Sequence, residues 1–354
     1  MIRRLARAGR KFVRDPAGTI RHARDWFDRL DFVQFGIRRA FVGWRVHHHS
    51  GLRERPGGPG DPIVFCILRN GMPWLEAFLD HHRALGFRHF VMLDNGSTDG
   101  TLEVLAEQQD VTLLRTAARY RAYENTLKRY LVDRFGRDRW CLFVDIDEQF
   151  DWPLRSDMPL ARLVTYLDQM GADCMITQML DMFADRPLTE MTIRGRRNLL
   201  TAFPFYELVN IRRSRYSFGN TAPIEMHWGG IRKSQFGSDN GLTKVSFFRN
   251  VPGLAPFLKY HHVRQATFAD ISGVLYHFPF ESGFAEKVRE AIATERYGTF
   301  TEEYLAYSTG TKDGDLRMKS AHAIAHTGTD DLIEQGFLVV SDTYREFAES
   351  GAAG

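Results

Sequence analysis

From residue 63 onward, short apolar runs alternate with longer amphipathic stretches. Ile63–Leu68 (IVFCIL) is a continuous apolar run of the kind needed by a strand buried on both faces. A turn at Arg69–Met72 and a helical segment from Pro73 to about Leu85 follow it. His89–Leu93, Val111–Leu114 and Trp140–Val144 predict three more strands, with helices over Gly100–Gln109 and Tyr120–Phe135 between them. Strands alternating with helices imply right-handed βαβ units. The expected class is α/β, a Rossmann-like, mostly parallel sheet with helices on both faces. Such sheets bind ligands beyond the carboxyl ends of their strands, so chemistry is expected in the loops after residues 68, 93 and 144.

The pattern is less regular on either side. Cys174–Leu180 reads as a strand, Arg194–Arg249 as a loop-rich basic section, Val274–His277 as a short strand and Gly283–Tyr297 as a helix. Helical signals at Glu302–Tyr307 and Asp330–Gln335 predict a peripheral C-terminal tail over 301–354. Upstream, Ile20, Ala23, Trp26, Phe27 and Leu30, then Ile37, Phe41 and Trp44, recur at near-helical intervals between arginines, predicting one or two amphipathic helices. His47–His49 reads as loop, and Gly51–Pro62 (GLRERPGGPGDP) as a linker. The expected organisation is an N-terminal helical extension and linker over 1–60, a main domain over 61–300 and the tail. Within the domain, the regular strand–helix rhythm covers 61–150 and the less regular part 151–300.

Charge changes the picture of the first segment. Residues 1–60 hold 14 Lys+Arg against 5 Asp+Glu, a net +9, whereas the remainder carries 33 against 39, a net −6. A basic, aromatic leader fits either a helix packed on the domain or contact with an anionic membrane through residues 1–46. No secretory stretch is visible, and no run of roughly 18–20 apolar residues could span a bilayer, which places the chain in the cytoplasm with the inner membrane face as a point of contact. Nucleic acid is not an expected partner, because the basic charge lies in one arm without a reading motif. Cys66, Cys141 and Cys174 sit in apolar runs without paired spacing, as reduced core residues do.

Two polar segments follow strands. In CLFVDIDEQF an apolar strand stops at Asp145 and presents Asp145 and Asp147, with Glu148 beside them. Alternate residues of an extended chain project the same way, so both acids can face one hard cation such as Mg²⁺ or Mn²⁺, which keeps positions for water and phosphate. The bland reading of Asp-x-Asp is a solvated turn; the buried strand before it argues otherwise. In FVMLDNGSTDGT, Asp94 ends a strand and could accept from a ribose or base edge, while Asp99 reads as a helix N-cap.

With Arg69-Asn70 after the first strand, Asp94-Asn95-x-Ser97-x-Asp99 and Asp145-x-Asp147-Glu148, the chain resembles family 2-like GT-A glycosyltransferases. The branch it looks closest to carries Cys-x-x-Arg-Asn-Glu and Asp-x-Asp-Glu-Phe. The match covers about residues 62–150, with a weaker continuation to about 300 through LDMF (180–183), KVSFFRN (244–250) and GVLYHFPF (273–280). Gly71 departs from it, standing where the branch has Glu.

The resemblance implies a metal-dependent glycosyltransferase using Mn²⁺ or Mg²⁺ and a nucleotide-sugar, by expectation a UDP-sugar, to modify a glycan or glycolipid in surface polysaccharide assembly. Ile67, Arg69, Asn70, Asp94, Asn95, Asp99, Asp145 and Lys244 would border the donor. Asp145, Asp147 and His277 would meet the metal, with His261 and His262 as competitors for the histidine. The basic section Arg194–Trp228 would line the acceptor cleft. Asp181 and Glu225 are the candidates for a base that takes the acceptor's proton. The rival readings are a nucleotidyltransferase, for which RNGMPW is a poor phosphate loop; an aspartyl phosphohydrolase, whose acid pair would follow the first strand; and an inactive glycan-binding homologue.

Overall fold

The structure, a computed structural model, describes residues 37–53, 58, 60–216, 224–252, 254–257, 261–264, 266–294, 301–310, 316–318 and 320–350. Its centre is a nine-stranded sheet. In chain order the strands are β1 (Val46–Ser50), β2 (Ile63–Leu68), β3 (Phe90–Asp94), β4 (Val111–Thr116), β5 (Trp140–Phe143), β6 (Glu148–Asp151), β7 (Cys174–Asp181), β8 (Thr243–Arg249) and β9 (Phe268–His277). Across the sheet they lie in the order β1-β4-β3-β2-β5-β8-β7-β9-β6. β2, β3, β4 and β5 are mutually parallel, as are β7 and β9; β8 runs antiparallel to both β5 and β7, so all six parallel strands point the same way. β1 and β6 close the two edges antiparallel. The α/β class and the mostly parallel sheet are as the alternation predicts.

Period-two alternation in β2 supplies the cores on both faces. Val64, Cys66 and Leu68 pack on one side with helix Met72–Ala84, whereas Ile63, Phe65 and Ile67 pack on the other with helix Tyr120–Phe135. The three cysteines are buried and unpaired. Among the described residues no helix is long and apolar enough to cross a membrane.

Three regions differ from their sequence reading. His47–His49 is not loop but part of edge strand β1, because main-chain pairing with β4 asks for no particular side chain there: His47 and His49 point outward while Val46 is buried. The basic section expected to be loop-rich contains β8, whose TKVSFFR is buried at its first six positions in mid-sheet. The C-terminal segment is not peripheral. Tyr344 is fully buried and donates to the Pro153 carbonyl at 2.8 Å, and Leu332, Phe337 and Leu338 enter a core with Tyr276 and Phe278. The proposed leader helices over 20–36 lie outside the described residues. Residues 37–45 are helical, with Val42 buried and Phe41 stacked on Tyr123 at 5.1 Å.

Candidate active site

The six co-directional strands end at one edge of the sheet, and the acidic residues singled out by their sequence stand there. Asp94 and Asp181 are the last residues of β3 and β7, and His277 is the last of β9, paired in parallel register with Asp181. Asp145 and Asp147 lie in the four residues between β5 and β6. Because β6 pairs with β9, on the far side of β8 and β7, this short segment crosses the carboxyl ends of β7 and β9 and the amino end of β8. Its contacts follow the strand order. Asp145 meets Lys244 at the start of β8, and Asp147 meets His277 at the end of β9.

The edge has two differently built parts. In the first, backbone amides hold the acids. Asp94 is almost fully buried; its Oδ1 accepts from the Gly96 and Ser97 amides at 3.0 and 3.2 Å, and its Oδ2 from Ser97 at 3.1 Å. Asn70, in left-handed backbone at φ 54°, donates its amide to Ser97 Oγ and accepts from the Thr98 amide, both at 2.9 Å. Asn95 donates to the Thr116 and Ala118 carbonyls.

Asp99 is not the N-cap. That position is Gly100, and Asp99 instead accepts from Met72 N at 3.1 Å and from both the amide and hydroxyl of Thr101, tying the loop to the helix after β2. Ile67 is a core residue, so only its backbone could border a nucleotide. Arg69 differs from its neighbours. Its Nε is buried with no hydrogen-bond partner among the described residues. The glycine at 71 has a local cause: an added Cβ would stand 2.8 Å from Leu68 Cδ1 and 3.2 Å from Cγ1 of Ile146, the residue between the two acids.

The second part is an ion-pair network. Lys244 Nζ donates to Asp145 Oδ2 at 2.8 Å and to Glu148, whose other oxygen accepts from the Asp145 amide at 3.0 Å. Asp147 Oδ2 stands 3.5 Å from His277 Nε2 and 3.2 Å from Lys287 Nζ. Asp181 receives His277 Nδ1 at 2.6 Å and a two-pronged Arg232, with Nε at 2.8 Å and a terminal nitrogen at 2.7 Å. Burial alone would raise these carboxyls, but the neighbouring cations outweigh it. Lys244 and then Lys128 hold Asp145 below the usual carboxylate range, Lys287 and His277 do the same for Asp147, and Arg232 brings Asp181 to about 2. Burial would lower His277, yet Asp147 and Asp181 lift it to about 9.

The two candidate bases lie in different surroundings. The two oxygens of Asp181 take three donors in a side chain only 3% exposed, so the carboxylate is engaged by its own neighbours. Glu225 is solvent-exposed on strand Glu225–Gly229 of a separate two-stranded sheet. His261 Nδ1 donates to the Thr243 carbonyl, 2.8 Å away, and His262 is buried beside Tyr216; His277 is the histidine that stands beside Asp147. Arg232 and Lys287 were not singled out by sequence. Each lies on a helix, Ile231–Phe236 and Phe284–Thr294, and reaches the edge only through tertiary packing.

Among the described residues no group of three or more His, Cys, Asp or Glu side chains is arranged to hold a metal. Asp147 and His277 nevertheless fit a divalent cation as a pair. With Nδ1–H given to Asp181, neutral His277 would turn a lone pair on Nε2 toward Asp147 Oδ2, 3.5 Å away, and two such atoms face each other stably only across a proton or a cation. Hard ions that keep substrate phosphates and water need only one or two protein donors. Asp145, taken up by Lys244, is not one of this pair.

No protein-family profile matches the chain, and no curated protein does. Among solved structures it is similar to S. aureus TarS, at 13% identity and a TM-score of 0.30 over 70% of this chain and 43% of that one, so it spans less than half of TarS. It is also similar to the mannosyltransferase PcManGT from Pyrobaculum calidifontis in complex with GDP-Man and Mn²⁺, at 15% identity and a TM-score of 0.27 over 91% of this chain and 87% of that one.

Proposed function

We propose that the chain is a metal-dependent glycosyltransferase of the GT-A type, in the family 2-like branch, that moves a sugar from a nucleotide-sugar to a glycan or glycolipid. The observation that carries the reading is the carboxyl edge itself. Asp94, Asp145, Asp147, Asp181 and His277 gather where co-directional strands end, with Lys244, Lys287, Arg69 and Arg232 among them. An edge with charged groups of both signs suits a ligand that is both metal-bridged and anionic, as a nucleoside diphosphate is. A nucleotidyltransferase has no comparable support, since the loop after β2 is held by Asn70, Ser97 and Thr101 side chains rather than opened as a phosphate cradle.

In this reading the 61–150 half holds the donor and the 151–300 half the acceptor. Asp147 and His277 would hold the Mn²⁺ or Mg²⁺, which when bound would supply positive charge to offset that of the diphosphate. Arg69 supplies its buried unpartnered Nε to the same diphosphate, and Lys287 is close enough to turn from Asp147 toward it. Lys244 holds Asp145 in place from below. UDP is the proposed nucleotide, with surface polysaccharide assembly as the setting and residues 1–46 as the contact with an anionic membrane.

The test is a calorimetric titration of UDP and GDP, each with and without Mn²⁺, on the wild type and on an Asp145→Ala, Asp147→Ala double variant. The reading expects one nucleotide to bind in a metal-dependent way and the variant to lose it. A folded wild type that binds neither nucleotide would sink it.

A further inference from the structure

We propose that Asp181, clamped by Arg232, is a positioning residue: it fixes the ring of His277 with Nδ1–H turned inward and Nε2 presented to Asp147, and thereby sets how strongly this edge holds a divalent cation. The inference rests on the metal reading above and gives Asp181 a role other than that of a base.

The geometry is specific. Asp181 and His277 end adjacent parallel strands in register, so backbone pairing alone brings carboxylate and imidazole side by side. Two groups crowd Nδ1: the acceptor Asp181 Oδ1 lies at 2.6 Å and the donor terminal nitrogen of Arg232 at 2.9 Å. An arginine N–H cannot be accepted by a nitrogen that carries its own proton, and a carboxylate can only accept. The proton therefore sits on Nδ1 and points to Asp181, while the Arg232 nitrogen gives its hydrogen to the same Oδ1 at 2.7 Å. Nε2 is then the nitrogen left for a cation.

Asp181 does not move, because Arg232 grips both of its oxygens and is itself only 10% exposed. A second carboxylate, Glu303, stands 3.6 Å from Arg232 and is held by Asn240 Nδ2 at 2.6 Å and by the Tyr307 hydroxyl. The chain of contacts thus runs from helix Thr301–Gly310 through Arg232 and Asp181 to His277. Histidines that bind metals ordinarily give their other N–H to such a partner, and losing that partner weakens metal binding about 10–100-fold.

The test follows Mn²⁺ uptake by the full chain in the presence of UDP or GDP, reading the free-Mn²⁺ electron paramagnetic resonance signal, with a melting curve for each protein. The variants are Asp147→Ala, Asp181→Asn, and Asp181→Asn combined with Arg232→Gln, which removes the arginine left without Asp181's charge should the single variant fold poorly. The expected result is Mn²⁺ binding by the wild type, its loss in Asp147→Ala, and a weakening of about 10–100-fold in whichever Asp181 variants fold. A folded Asp181 variant that binds Mn²⁺ as tightly as the wild type overturns the positioning role and leaves the metal reading standing. A wild type that takes up no Mn²⁺ with either nucleotide overturns both.

Discussion

The two parts of the carboxyl edge hold their acids by opposite means. Around Asp94 the partners are backbone amides two and three residues away, so the loop organises its own acid. Around Asp145, Asp147 and Asp181 the partners are side chains brought from residues 232 to 287, each from a different element. A loop of the first kind can form as soon as its few residues meet. A network of the second kind exists only in the completed sheet, and it leaves charges stranded when one member is removed.

That contrast ranks the consequences of mutation. Lys244→Met should be the costliest, because it strands Glu148, whose side chain is 1% exposed, together with Asp145. Loss of one partner of a buried pair costs about 3–5 kcal/mol, and urea unfolding monitored by tryptophan fluorescence would register it. A loss below about 1 kcal/mol would mean that the network is not the stabilising unit described here.

Asp94→Ala should cost less, about 2 kcal/mol in the same assay, since it frees two amides at a loop that water can reach once it loosens. Next comes His81, whose Nε2 pairs with the Phe150 carbonyl at 2.7 Å and whose pKa burial lowers to about 4. The unfolded chain protonates near pH 6.5 and the folded one only near 4, so the fold loses stability as pH falls through that window, by on the order of 1–2 kcal/mol at pH 5. His81→Gln should lessen the wild-type slope between pH 7 and 5, which the buried His82, His227, His261 and His262 share, and parallel slopes would remove His81 from its causes. Smallest should be Lys287→Met. At 34% exposure Lys287 is a screened partner of Asp147, and its loss should shift stability by less than about 1 kcal/mol while weakening nucleotide affinity in the titration.

Sequence made the first part of the edge far more legible than the second. IVFCIL, FVMLD and CLFVD state their strands by composition, and helix Tyr120–Phe135 has the predicted bounds, because burial on both faces leaves an unbroken apolar run. The acids at their ends could be named for the same reason. Lys244 and His277 were reachable only as residues in the right stretch, and Arg232 and Lys287 not at all, since no local pattern tells a buried cation from a solvated one on a short polar helix. β8 was read as loop because its antiparallel insertion between β5 and β7 breaks the strand–helix rhythm. The partner of Asp181 was hidden for a related cause: a strand-end acid looks the same whether its oxygens face a substrate or an arginine 51 positions later.

That insertion also dictates an order of synthesis. While the chain emerges from the ribosome, β2, β3, β4 and β5 can assemble in sequence, but one edge of β5 stays open until residues 243–249 arrive, and β6, already made, has no neighbour until residues 274–277 follow about 120 positions later. The unfinished sheet therefore exposes an apolar edge, the surface on which nascent chains aggregate. A fragment cut at residue 150 would keep that edge for good, so residues 61–150 alone should aggregate more readily than the whole chain.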